Sequence, residues 1–283
     1  MTRLHKTSDQ TLFNVDPTSR VAPGARVGEG VEIGPFCRIG PYVVLAEGVR
    51  LHSHIVIEGH TTIGRQTEVY PFTALGGPPQ HLRYHGEPTR LEIGSDCVLR
   101  EHVSIHRGTA HGGGVTAIGN NVMLMTQVHL GHDVRLGNHV VMAGKSSLAG
   151  HVTVEDHAII GGASAVHQFC RIGAHAIVGG CAALPMDLIP YGMAVGNHAR
   201  LTGLNLVGLK RMGLPRSSIH ALRGAFHDLF VAEGPPFRSR VHEVAERYAA
   251  SPEVSKIIAF LRADARRSIL PARKRSAVEV IED

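Results

Sequence analysis

The stretch Gln127–Gln168 reads QVHLGHDVRLGNHVVMAGKSSLAGHVTVEDHAIIGGASAVHQ and carries two signals at once. The first is a period of six: Leu130, Leu136, Met142, Leu148, Val154, Ile160 and Val166 are all aliphatic. Four positions after each stands a small or β-branched residue: Val134, Val140, Ser146, Val152, Ala158, Ser164 and Cys170. The second signal is histidine at chosen phases of that period: His129, His132, His151 and His167. A period of six is neither helical nor a simple strand alternation. It fits a short strand with an inward aliphatic residue, then a corner, repeated. Three such sides close a coil of eighteen residues, and stacked coils make a parallel β-helix of hexapeptide repeats.

Residues eighteen apart then stack on neighbouring coils, about 4.8 Å from each other. His132, Gly150 and Gln168 form one column; Asp133, His151 and Phe169 form the next; Gly131, Ala149 and His167 lie on the other side. Side chains scattered in sequence thus converge on one outer corner: His132, Asp133, Gly150, His151, His167 and Gln168.

Outward from this stretch the rhythm holds. Val15, Val21, Val27, Ile33, Ile39, Leu45, Leu51, Ile57, Ile63, Val69 and Leu75 keep register before it. Gly28, Gly34, Gly40 and Gly64 directly follow aliphatic residues and are expected to supply positive φ at corners. Two polar insertions interrupt the series, at 76–91 and 107–117, and read as loops projecting from a corner, where function is often carried. Residues 1–14 read as a leader of little structure, and 15–190 as the β-helix. After Pro185 and Pro190 the apolar spacing becomes helical, giving a helical domain over 191–266 and a tail over 267–283 that is expected to fray from about Arg266. One stripe is Ala221, Leu222, Ala225, Phe226, Leu229 and Phe230; another is Val241, Val244, Ala245 and Tyr248. Ser251 before Pro252 reads as a cap for a third helix through Ile257, Ile258 and Leu261.

Composition sets outer limits. The 283 residues include no Trp and 33 Gly, which suits a narrow aliphatic prism. The net charge of +5 suggests an acidic partner or simply a solvated basic surface. Of the 4 cysteines, Cys37, Cys97 and Cys170 fall at small inward positions and read as buried thiols; Cys181 does not. No apolar run reaches the ~20 residues of a membrane span. The start, MTRLHKTSDQ, lacks the apolar core of a signal peptide, so the cytoplasm is the expected location.

IHRGT at 105–109, GEPTR at 86–90, HLGHD at 129–133, LAGH at 148–151, HQFCRIGAH at 167–175, VGGC at 178–181, GNHA at 196–199 and GLKR at 208–211 resemble the UDP-N-acetylglucosamine O-acyltransferases. The resemblance runs from Val15 to the third C-terminal helix. It implies a left-handed coil and a homotrimer with sites between prisms. It implies transfer of a 3-hydroxyacyl group from acyl carrier protein to the 3-hydroxyl of UDP-N-acetylglucosamine, the first step of lipid A synthesis, with no cofactor, no metal, no nucleic acid and no membrane segment. Residue by residue, it makes His132 the general base, Asp133 its partner and Gly150 the oxyanion glycine. His129, His151, His167 and Gln168 would line the substrate cleft. Gln80, Arg83, Asn205 and Arg211 would lie near the nucleotide sugar, Gly180 would set acyl-chain length, and His198 would border the acyl groove. A glycine at 180 leaves the groove deep, implying a preference for acyl chains of about twelve to fourteen carbons over ten. His81 stands where the family usually has Asp, Val207 where an acidic residue is common, Met212 where a second basic one is, and Arg83 replaces a frequent Lys.

Other readings compete. A different hexapeptide-repeat acyltransferase, acting on an N-linked position, would carry a uridine-binding domain before its repeats, whereas here repeats begin at Val15. A zinc carbonic anhydrase on the same scaffold would use His129 and His132 with a third histidine across a trimer interface, and would have no use for the helical third or the Arg211 region. A non-catalytic scaffold would not need a polar corner of histidines beside a bare glycine. With 20 histidines in the chain, His5, His85, His157 and His227 are read as surface or structural.

Overall fold

The structure, a computed structural model, describes residues 3–5 and 13–273. The chain is a left-handed parallel β-helix followed by helices. Its strands fall on three faces, with twelve, nine and eight strands among the described residues. One coil shows the plan. Met123–Leu124 lies on the twelve-stranded face, His129–Leu130 on the nine-stranded face and Arg135–Leu136 on the eight-stranded face. Val141–Met142 then returns above the start, pairing Met123 with Val141 and Leu124 with Met142. The second residue of each strand points inward: Leu124, Leu130 and Met142 are fully buried, and Leu136 nearly so. Cys37, Cys97 and Cys170 join them in the core, while Cys181 is exposed.

The corners differ from the sequence reading. Gly28, Gly34, Gly40 and Gly64 do not carry positive φ. They are small because the next coil passes over them: a Cβ on Gly28 would meet the Glu47 nitrogen at 2.8 Å, and one on Gly34 would strike the His52 carbonyl. The left-handed positions are mostly taken by side chains, among them Phe36, His54, Phe72, Asp133, His139, His151, His157 and His175. Asp and His tolerate this region better than most residues. At the corners they also stack: Phe36, His54, Phe72 and His102 form one ladder, with ring centroids 4.9–5.1 Å apart.

Antiparallel pairs close both ends. Arg3–His5 pairs with Phe13–Val15, inside the stretch read as a leader. Gly192–Val195 pairs with Arg200–Leu204 at the other end. Four α-helices follow among the described residues, α1 (Leu206–Arg211), α2 (Arg216–Phe226), α3 (Phe237–Arg247) and α4 (Pro252–Arg262), with α2 running on into a π-helical turn over His227–Val231. Their apolar stripes meet in a second core that includes Leu209, Leu222, Leu229, Val241, Val254 and Ile257. Ser251 caps α4, its Oγ accepting from the Val254 N–H at 3.3 Å, with Pro252 in the first turn.

The segment after α4 does not fray at Arg266. It turns back along the coil because Asp187 gives it an edge to bind. The Asp187 N–H donates to the Ser268 carbonyl at 2.9 Å, and the Leu270 N–H donates to the Asp187 carbonyl at 2.8 Å. Leu270 is buried in the prism core. The rest of the expected tail, from 274, lies outside the described residues.

Candidate active site

His132 and Asp133 come from the corner between the nine- and eight-stranded faces. The Asp133 carboxylate is buried, with its side chain 1% exposed against 12% for His132. A buried carboxylate needs partners, and four groups supply them. His132 Nδ1 lies 2.7 Å from Oδ2; Thr109 gives its N–H to Oδ1 at 2.9 Å and its hydroxyl to Oδ2 at 2.7 Å; His151 Nε2 stands 3.7 Å from Oδ2. The Asp133 N–H is anchored on Thr116 Oγ1 at 2.8 Å. Burial alone would raise the Asp133 pKa, but the bonds from His132 and Thr109 outweigh it and hold the carboxylate below its ordinary range. An ionised Asp133 is an acceptor only. His132 therefore carries its proton on Nδ1 and leaves the Nε2 lone pair free.

Gly150 sits one coil above, against the face of that imidazole over Cε1 and Nε2. A Cβ here would lie 2.6 Å from Cε1 and 2.8 Å from Nε2 of His132. Any side chain would push the imidazole from its place. The N–H of Gly150 has no hydrogen-bond partner among the described residues. Beside it opens a cavity of about 400 Å³ lined by Gln80, His106, His129, His132, Gly150 and Gln168, together with Ser147, Leu148 and Ala165.

The remaining site residues sort by distance from this cavity. His129 Nδ1 is held by Ser104 Oγ at 2.8 Å, and burial, with His106 nearby, lowers its pKa. His151 meets His132 edge-on at 5.0 Å and stacks on Phe169 at 4.5 Å; burial lowers its pKa although Asp133 pulls the other way. His81, in the first insertion, packs edge-on against His132 at 5.1 Å, and Arg83 donates its N–H to His81 Nδ1 at 3.2 Å. His167 is exposed beside Gln168, and Arg267 reaches both. His198, in the turn before Arg200–Leu204, and Arg211, at the end of α1, are exposed near the capped end of the twelve-stranded face and do not reach the cavity of the same chain. Asn205 is committed to structure: Oδ1 caps α1 by accepting from the Gly208 N–H at 2.8 Å, and Nδ2 donates to the His175 carbonyl at 3.0 Å. Gly180 faces open space, its Cβ position meeting only the Gly162 carbonyl at 3.4 Å.

Sequence reasoning missed Thr109, Thr116, His106, Ser104 and Arg267. Three of these had a signal. Ser104 pairs with His129 and lies 25 residues before it, one coil lengthened by the second insertion, and His106 and Thr109 follow in the same IHRGT run. That insertion is fixed by the site: a Cβ on Gly112 would strike the Asp133 carboxylate. Arg107 ties the two insertions together through the Tyr84 hydroxyl at 2.6 Å and the Gly76 carbonyl at 2.8 Å.

As to metals, ligating atoms of His132, Asp133 and His151 lie within 4.8 Å of one another, the one such group among the described residues. His129, which the zinc reading requires, is not in it. His132 is hydrogen-bonded to the Asp133 carboxylate, and His151 stands 3.7 Å from the same oxygen.

A sequence profile described as Udp N-acetylglucosamine O-acyltransferase, Domain 2, matches residues 187–270. The acyl-[acyl-carrier-protein]–UDP-N-acetylglucosamine O-acyltransferase of Azorhizobium caulinodans is 51% identical over 255 residues, covering 90% of this chain and 94% of that protein. The protein of the same name from Caulobacter vibrioides is 54% identical over 222 residues, covering 78% and 84%. The crystal structure of LpxA from Acinetobacter baumannii superposes with a TM-score of 0.87 at 37% identity, covering 90% of this chain and 99% of that one.

Proposed function

The chain belongs to the acyl-[acyl-carrier-protein]–UDP-N-acetylglucosamine O-acyltransferases, and from that premise we propose how its residues carry out the transfer. The enzyme moves a 3-hydroxyacyl group from acyl carrier protein to the 3-hydroxyl of UDP-N-acetylglucosamine, the first step of lipid A biosynthesis. No helix among the described residues is long and apolar enough to cross a membrane. We place the protein in the cytoplasm.

A sugar hydroxyl is a weak nucleophile, and a positioned imidazole is the side chain best matched to take its proton near neutral pH. His132 does this through Nε2 as the oxygen attacks the thioester carbonyl and the new C–O bond forms. Asp133, ionised and fixed by Thr109, stabilises the imidazolium. The oxygen that gains charge is received by the Gly150 N–H, a preorganised donor of the kind that contributes most in acyl transfer. Collapse of the tetrahedral intermediate breaks the C–S bond, and His132 returns its proton to the departing carrier thiolate. The observation that carries this reading is the side-chain-free Gly150 lying over the face of an imidazole whose Nδ1 edge is held by a buried carboxylate.

His129, His151, His167, Gln168 and Gln80 bind substrate around the cavity, with His81 and Arg83 at its rim. A homotrimer accounts for the split between this cavity and His198 and Arg211. Those residues cannot reach the cavity of their own chain but would border a neighbour's, with Arg211 suited to a phosphate. Asn205 acts there indirectly, by holding α1. The net charge of +5 would favour an acidic carrier protein.

The test is a panel of 3-hydroxyacyl carriers incubated with UDP-N-acetylglucosamine, with product masses read out. Products with about twelve to fourteen carbons should dominate, because each buried methylene contributes ~0.8 kcal/mol. Gly180→Met has room to enter the groove and should move the preference to about ten. Absence of any acylated sugar nucleotide would refute the assignment; an unchanged preference in Gly180→Met would refute only the ruler.

A further inference from the structure

We propose that Arg267, in the segment that follows α4, is a positioning residue of the active site: its guanidinium fixes His167 as a hydrogen-bond donor through Nε2. The inference rests on the reading of His167 as a substrate residue.

Arg267 is not a loose surface arginine. On its C-terminal side the chain is tied to Asp187 through Ser268 and Leu270, and further on the Leu201 N–H donates to the Pro271 carbonyl at 3.1 Å. Asp187 is itself held on both carboxylate oxygens. It is fully buried, and its carboxylate accepts from Arg171 Nε at 2.7 Å and from the Arg171 N–H at 2.8 Å. On its N-terminal side Arg266 lies 4.6 Å over the Phe169 ring, which stacks on His151. Two consecutive arginines thus grip the corner where the site residues converge.

The chemistry of the contact decides the tautomer. A guanidinium can only donate. Arg267 Nη2 stands 2.7 Å from His167 Nδ1, so Nδ1 must offer its lone pair. A neutral His167 then carries its proton on Nε2. There is an alternative for the ring to take: Nδ1 also lies 3.3 Å from the Gln168 carbonyl, to which it would donate if protonated. Arg267 removes that option twice, by occupying Nδ1 and by giving its Nε–H to the same carbonyl at 3.0 Å. Without the guanidinium, the Nδ1–H tautomer gains a partner and Nε2 becomes an acceptor. With it, Nε2 has a hydrogen to give to a substrate oxygen, carbonyl or hydroxyl, beside the Gln168 wall of the cavity.

The experiment uses the full-length protein with ¹⁵N-labelled histidine, the His167 signals being assigned by their loss in His167→Gln. Long-range ¹⁵N–¹H correlations should show the Nε2–H form in the wild type and a shift toward Nδ1–H in Arg267→Ala. In steady-state assays Arg267→Ala should raise KM about tenfold with kcat little changed, the scale of one lost charge-assisted hydrogen bond. Arg267→Lys, still only a donor, should recover most of the loss and the Nε2–H signal. Arg267→Gln, whose amide can also accept, should not. An Nδ1–H signal in the wild type overturns the proposal, even if a variant fails to fold. So does a Gln variant that matches the Lys variant in both readouts. If His167→Gln keeps wild-type kinetics, the substrate role of His167 falls, and the tautomer readout still decides what Arg267 does.

Discussion

The corner that turns the coil at Asp133, His151 and Phe169 and the corner that turns it at His139, His157 and His175 share one backbone. Their φ values are 61°, 62° and 66° in the first and 56°, 61° and 58° in the second. Both columns repeat every eighteen residues, and both carry histidine, one in the first and three in the second. In the second, three imidazoles and Tyr191 stack face to face, with histidine centroids 4.6 Å apart and planes within 6° of parallel. The polar residues just before that corner are spent on the backbone: Asn138 accepts from the Asn120 N–H at 2.9 Å, and Asp156 from the Asn138 N–H at 2.7 Å. In the first corner the residues at that place are His132, Gly150 and Gln168. The glycine opens a gap, so His132 turns edge-on to His151, at 88°, and faces a cavity instead of a neighbour. The proposed base differs from the ladder histidines in two respects: the next coil leaves it space, and a buried carboxylate orients it.

The largest expected difference between the two corners is therefore in turnover. His132→Ala should lower kcat by ~10² or more, the ordinary contribution of a general base, with the circular dichroism spectrum and oligomer size unchanged. His157→Ala removes one plate from a ladder and should leave kcat within about twofold, since nothing in the ladder faces the cavity. Matching losses in the two variants would erase the distinction drawn from geometry.

What was readable in the sequence, and what was not, follows from the same coil. Each inward residue recurs at a fixed phase, so Leu130, Leu136 and Met142 announce the prism directly. The columns that join His132 to Gly150 and Asp133 to His151 need only the eighteen-residue step. Insertions break that step. Thr109 lies 24 residues before the carboxylate it holds, so the column rule missed it. Arg267 lies 99 residues from the Gln168 carbonyl it binds, with no period to mark it. The helical fold hid it further, because a charged run after the last helix reads as solvated until Asp187 is seen to anchor it. Asn205 is the opposite case: the motif placed it at the nucleotide, while the structure spends both ends of its amide on the helix cap and the His175 carbonyl.

The gap at Gly150 is the next feature to probe. Gly150→Ala adds a single methyl that would meet the His132 ring at 2.6–3.1 Å, so the base must move by most of an ångström. Misplacement on that scale should cost about 10- to 100-fold in kcat, with little effect on thermal stability. Gly180→Ala is the matched control: its methyl meets nothing closer than 3.4 Å and should leave kcat for a ten-carbon donor nearly unchanged. If both variants are equally active, the free edge of His132 is not where the proton goes.

The smallest effect belongs to the ladder and shows in stability against acid. Burial, with His157 and Lys256 adding to it and Asp156 opposing, pushes the His175 pKa down to about 4 from 6.5. The folded protein thus resists protonating this ring, whereas the unfolded chain takes the proton readily. Above pH 6.5 the ring is neutral in both states and contributes no penalty. As pH falls from 6.5 toward about 4, the unfolded state gains the proton first, so stability is lost across that window and levels off below it. At pH 5 the full difference would be about 2 kcal/mol, and partial exposure of the ring reduces it to about 1 kcal/mol. His175→Phe keeps a flat ring between His157 and Tyr191 and cannot titrate. Urea unfolding at fixed protein concentration should then show the variant losing about 1 kcal/mol less than the wild type between pH 7.5 and pH 5. Parallel losses in the two proteins would mean that the ladder does not hold His175 neutral. The acid sensitivity would then come from other groups, among them His129 and His151 in the candidate site, whose pKa burial also lowers and whose titration a bound substrate, unlike a mutation in the ladder, would change.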